Sequence, residues 1–132
     1  MRKSKKEILL FPLSEAVINN DLVSFNNLIT EGVEIDGLDY NGLTALYYAA
    51  QYGRLEMARV LIEKGANIEH QDEYGNTPLM RACLNLNRNG VDMISLLISS
   101  GANVDAQNKS GNSPRRLSKI MMGFPEIDAF KD

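Results

Sequence analysis

Few residues in this chain have the chemistry of a catalyst. It holds one cysteine, Cys83, and one histidine, His70. A reactive thiolate needs an electropositive, accessible setting. Arg81 is a cationic neighbour of Cys83, but Cys83 aligns with the small residue Ala50 one copy earlier, so a buried packing residue is expected. His70 has no cysteine or second histidine nearby, which makes a loop residue the better reading than a metal ligand. Carboxylates are plentiful: Glu31, Glu34, Asp36 and Asp39, then Glu69, Asp72 and Glu73. Because they recur in step, they point to turns and a solvated face rather than to a paired general acid and base. The glycines form no phosphate-cradling loop with a Lys-Ser/Thr end. No catalytic constellation emerges, and a non-enzyme without cofactor, metal or small-molecule substrate is expected.

Bulk properties narrow the class. The 132 residues suffice for one domain with a real core, and 44% hydrophobic with 23% charged is ordinary for a globular chain. A net charge of -3 and a pI of about 5.2 argue against non-specific nucleic-acid binding, which rests on clustered Lys and Arg. The start is basic (Arg2, Lys3, Lys5, Lys6), but the apolar run Ile8 to Phe11 stops at Pro12, too short for a signal peptide. No stretch approaches the roughly 20 apolar residues that span a bilayer. A lone cysteine gives no sign of an oxidising compartment. The expectation is a cytoplasmic protein, off the membrane, with residues 1–11 as a solvated tail.

The elements that place these residues come from a repeat. NGLTALYYAA (Asn41 to Ala50) matches YGNTPLMRAC (Tyr74 to Cys83) at a shift of 33, and SGNSPRRLS (Ser110 to Ser118) follows 36 later. MARVLIEKGANIEHQ (Met57 to Gln71) matches MISLLISSGANVDAQ (Met93 to Gln107), and a weaker copy precedes it at Leu28, Ile29, Gly32 and Ile35. Register is kept on both sides of LNLNRNGVD, so three extra residues lie between Cys83 and Met93. Thr44, Thr77 and Ser113 suit helix N-caps, and Pro78 and Pro114 suit first helical positions. First helices are predicted over 45–51 and 78–84, with small residues at Ala49, Ala50, Ala82 and Cys83 that permit close approach. Second helices are predicted over 55–63 and 92–99, with an apolar stripe. Gly32, Gly65 and Gly101 end the second helices. Asp39 to Gly42 and Asp72 to Gly75 read as turns. One such unit cannot bury its apolar face alone, whereas stacked copies can.

These motifs resemble the ankyrin repeat. TALYYAA and TPLMRAC resemble its Thr-Pro-Leu-His-x-Ala-Ala, and GANIEHQDEYG and GANVDAQNKSG resemble its Gly-Ala-Asp-Val-Asn-x-x-Asp-x-x-Gly. The resemblance implies an all-α ankyrin-repeat solenoid, L-shaped, with projecting β-hairpin-like loops. Its single domain spans 12–132: a cap repeat at 12–38, full repeats at 39–71 and 72–107, and a truncated cap repeat at 108–132. Two departures stand out. Tyr47 and Met80 replace the family's histidine, which puts its inter-repeat hydrogen bonds in question, and Arg115 sits where Leu79 sits one copy earlier. A narrower likeness, in DEYGNTPLMRACLN and GNSPRRLSKIMMGFPEIDAF, is to compact bacterial ankyrin proteins encoded beside secreted polymorphic toxins, which implies an immunity protein that silences a toxin.

The resemblance also implies that another protein binds the concave face and loop tips, to a chain that is a monomer when free. The candidate partner-binding residues are Tyr40, Asn41, Leu43, Glu73, Tyr74, Asn76, Lys109 and Asn112 around the tips. Gln51, Tyr52, Arg81, Leu84 and Asn85 add to them on the first helices. Tyr40 and Tyr74 either stand out as contact aromatics or pack along their own loop stems. A scaffold that joins a complex without inhibiting it is the rival role. The inserted turn gives a first test. If Leu84 to Asp92 is only a longer connection, deleting three residues there leaves the thermal midpoint and partner binding within error. Binding lost on an intact fold would make the turn a contact element.

Overall fold

The computed structural model describes residues 11–84, 90–122 and 130. Asn85, most of the inserted turn and nearly all of the basic tail lie outside them. Among the described residues the regular elements are seven helices and no strands. They come in pairs: α1 (Pro12–Ile18) with α2 (Leu22–Thr30), α3 (Ala45–Tyr52) with α4 (Leu55–Glu63), and α5 (Pro78–Leu84) with α6 (Gly90–Ser99). A last helix, α7 (Pro114–Met122), packs on α5. The predicted helices therefore form, with α3 one residue longer and α6 starting two residues earlier than the sequence suggested.

The caps explain why helices this short hold. The Thr44 hydroxyl accepts from the Tyr47 N–H at 3.2 Å, that of Thr77 from Met80 at 3.3 Å and that of Ser113 from Arg116 at 3.1 Å. Asp21 does the same for α2, taking the Ser24 N–H at 3.1 Å and its hydroxyl at 2.7 Å. Each bond satisfies a donor that the first helical turn leaves free.

The odd-numbered helices form an inner row, α1 on α3 on α5 on α7. Leu13, Leu46 and Leu79 recur at 33-residue intervals along it, each at most 1% exposed. Fully burying a leucine stabilises by about 2 kcal/mol. Ala45, Ala49, Ala50, Ala82 and Cys83 are equally buried, so the inner helices meet across small side chains. Phe25, Met57, Leu61, Met93, Ile94 and Leu97 fill the space under the outer row. Phe11, read as the end of the tail, is half-buried with its ring over Gly37, where an added Cβ would lie 2.6 Å from it.

The leucine series ends at Arg115. Its guanidinium reaches the Asp105 carboxylate at 3.1 Å and the Phe130 carbonyl, and its N–H donates to the Val104 carbonyl at 3.1 Å. A charged residue stands in the leucine's place, and polar partners on the preceding turn and at Phe130 take the place of apolar ones.

Gly42 and Gly75 both sit at the turns with φ near +80 (75 and 80), a region costly for other residues. They differ in surroundings. A Cβ on Gly42 meets nothing within 4 Å, while one on Gly75 would lie 3.1 Å from the Lys109 nitrogen and 3.2 Å from the Asn108 Cα. Gly42→Ala should therefore cost about 1–2 kcal/mol, the strain of the backbone angle alone. Gly75→Ala should cost clearly more, as read from urea midpoints. Equal losses would contradict this packing of successive turns.

Candidate protein-binding face

The turns are built on one buried or half-buried acid or amide each. Asp39 Oδ1 accepts from the N–H groups of Asn41 and Leu43 at 2.9 and 3.0 Å. Asp72 does the same for Tyr74 and Asn76, both at 2.9 Å, and Asn108 for Ser110 and Asn112, both at 3.0 Å. Main-chain bonds close each loop: Asp39 N–H to Leu43 carbonyl, Asp72 to Asn76 and Asn108 to Asn112. A short side chain that folds back onto the backbone two residues on is the physics of an aspartate turn. The same tie repeated at all three turns holds their tips in one conformation.

Two tyrosines lock the turns to the inner row. The Tyr48 hydroxyl donates to Asp39 Oδ2 at 2.5 Å within its own unit. The Tyr47 hydroxyl donates to Asp72 Oδ2 at 2.6 Å, across to the next unit. Tyr47 stands at the family's histidine position, and it does make a bond between repeats. Met80, at the same place one unit on, is fully buried and apolar. Burial and the hydrogen bond to Asp72 push the Tyr47 hydroxyl well above its ordinary value, and burial with the bond to Asp39 pushes that of Tyr48 to about 12. Burial alone would raise Asp72, but the bonds from Tyr47 and from the Asn76 and Tyr74 N–H groups outweigh it and hold the carboxyl below its ordinary value.

Other acids work between units. Asp36 accepts from the Asn67 N–H at 2.9 Å and Glu69 from the Asn103 N–H at 3.0 Å. The His70 ring nitrogen Nε2 lies 2.8 Å from the Gly42 carbonyl. Arg54, which carries no signal in the sequence, reaches back to the carbonyls of Val17 and Ile18 at 3.0 and 2.9 Å and closes the end of α1. The Cys83 sulfur lies 3.6 Å from the Pro114 carbonyl, and burial pushes its thiol up to about 12, so it packs rather than reacts. Among the described residues no three His, Cys, Asp or Glu side chains gather to share a metal ion, and no helix is long and apolar enough to cross a membrane.

The candidate contact residues divide by exposure. Tyr40 and Tyr74 are 52% and 64% exposed, so they stand out from their loops. Asn41, Glu73, Lys109 and Tyr52 are exposed too. Tyr52 stacks on Tyr48 and lies under the Arg54 guanidinium at 5.7 Å. Gln51, Arg81 and Asn112 are half-buried. Leu43 and Leu84 are half-buried and packed against the core, not free. Asn76 is buried, and its side-chain carbonyl accepts from the Asn108 amide at 2.8 Å, so it serves the stack of turns. Asn41, Leu43, Tyr47, Asp72, Glu73 and Tyr74 line a cleft of about 410 Å³ where two tips meet the inner helix.

Stacked helix pairs joined by these turns define a repeat solenoid. The ankyrin family described as three copies of the repeat matches residues 13–108, and the chain belongs to that family. It is similar to a potassium channel, GORK, of Arabidopsis thaliana, at 32% identity over 62% of this chain and 10% of the channel. It is also similar to ankyrin repeat protein OPG189 of Variola virus, at 34% over 44% of this chain and 10% of that protein. Tankyrase of Caenorhabditis elegans matches at 35% over 65% of this chain and 4% of its own length. The chain thus spans a tenth or less of these relatives. Ankyrin-repeat domains are in general non-catalytic modules that bind other proteins.

Removing the Tyr47 hydroxyl isolates the bond between repeats. Tyr47→Phe should lower stability at pH 7 by about 1 kcal/mol, a charge-assisted hydrogen bond discounted for the partial exposure of Asp72. A depressed Asp72 contributes stability above the ordinary value of 3.8 that is lost as pH falls through its lower folded value. The gap between variant and wild type should close over that acid window. A gap that persists once Asp72 is protonated would contradict the assignment.

Proposed function

We propose that the chain is a non-catalytic binding module that holds another protein against its turn tips and inner helices, as a monomer when free and in the cytoplasm. One observation carries this reading: Tyr74 is left 64% exposed at the mouth of a cleft whose walls are tied in place by Asp72, Tyr47 and main-chain bonds. A large aromatic on a rigid support gives contact area with little freedom to lose on binding. Tyr40, Asn41, Glu73, Tyr52 and Lys109 extend the exposed rim on either side. Glu73 on that rim favours a basic residue on the partner.

Within this reading the narrower role is that of an immunity protein, in which the same face covers the active site of a co-encoded toxin. The likeness of the third unit and the chain's ending to small bacterial ankyrin proteins supports it. A scaffold that joins a complex without inhibiting it is the alternative, and the two separate by what happens to a captured enzyme. An immunity protein abolishes its activity at one equivalent, whereas a scaffold leaves it untouched.

Capture from the cells that make this chain, followed by titration with variants, tests the face. Tyr74→Ala should weaken capture about tenfold or more, as loss of an aromatic anchor does, with an unchanged unfolding midpoint. Undiminished capture by both Tyr74→Ala and Tyr40→Ala would place the contact elsewhere.

A further inference from the structure

Among the described residues Arg81 is a half-buried cation on the inner row that the fold leaves unsatisfied. It lies on α5 at the place Tyr48 holds one unit earlier, 33 residues before it. Tyr48 is paired there with its own turn acid, Asp39. The matching acid for Arg81 is Asp72, and that carboxylate is already taken: Oδ1 by the Tyr74 and Asn76 N–H groups, Oδ2 by the Tyr47 hydroxyl. Among the described residues the Arg81 guanidinium therefore has neither an ion pair nor a hydrogen-bond acceptor, and its Nε is buried without a partner. Its positive charge acts on Tyr47, which lines the cleft between the turn tips. The sealed Nε is a cost to the fold, and the guanidinium's remaining N–H groups, with no acceptor among the described residues, are left to a ligand.

We infer that Arg81 anchors a carboxylate side chain, aspartate or glutamate, of the polypeptide bound on this face. The inference rests on the binding role proposed above and adds the partner's chemistry to it. A guanidinium offers a planar fork that matches a carboxylate in a bidentate pair. Asp72 and Glu73 line the cleft that Tyr47 shares and repel an acid set there, so the pairing also fixes register. The bound segment then carries one acid facing Arg81 and basic residues facing the rim.

A random dodecapeptide library displayed on phage, selected against the full chain and against Arg81→Met, tests this. The wild type should enrich sequences with an Asp or Glu at a fixed position, and Arg81→Met should not. For one selected peptide, replacing that acid by its amide should weaken binding to the wild type about tenfold and leave binding to Arg81→Met unchanged. The thermal midpoint of Arg81→Met should equal or exceed that of the wild type, because an unsatisfied donor has gone. A fall of several degrees would reveal an acceptor within the chain and overturn the inference. Enrichment of sequences without a fixed acid would overturn it while leaving the binding role intact. Failure of both proteins to select any sequence would overturn the inference together with the binding role on which it rests.

Discussion

No helix pair in this chain can bury its apolar face except against a neighbouring pair, and every seam between pairs must also satisfy the polar groups it covers. The leucine series Leu13, Leu46, Leu79 meets the first demand. A second set of contacts meets the other. Arg54 closes the end of α1, Asp36 and Glu69 take N–H groups of the next unit, and Tyr47 reaches Asp72. Apolar contact alone tolerates sliding. Hydrogen bonds to fixed atoms do not, so the polar seam sets the register that the leucines stabilise.

Much of this was legible in the sequence because it is local and repeated. A cap, a proline at the first helical position and an aspartate turn each act within four residues, and three copies print the same signal at one period. What escaped the sequence acts over distance. Nothing near Tyr47 announces an acid 25 residues later, and nothing near Arg54 announces two carbonyls on the previous unit. The recurrence of Asp39, Asp72 and Asn108 beneath the tips was a usable signal, since each must hold its own loop before it can meet a partner.

Which candidate residues lie exposed was legible only in part. Tyr40 and Tyr74 stand out because both follow an acid whose side chain is turned inward to the backbone. Asn76 and Leu43, two residues past Tyr74 and three past Tyr40, lead back into the body, and the first becomes a stacking amide while the second packs on the core. Composition alone could not divide these neighbours, because each turn mixes polar and apolar side chains. Arg115 departs from the leucine of the repeat, and its guanidinium is satisfied by Asp105 and the Phe130 carbonyl.

The proposed binding would use the same rigidity. The turns are fixed by their own side chains and by the inner row, so a partner on this face would meet a preformed surface with little order left to impose. The relatives match this chain over the repeat alone, a tenth or less of their own length. Hydrogen exchange of the full chain, free and saturated with a captured partner, tests this most directly. The account predicts slowed exchange at the turn tips, residues 40–43 and 73–76, and along the inner helices α3 and α5, with the outer helices unchanged. Slowing confined to α2, α4 and α6 would contradict it.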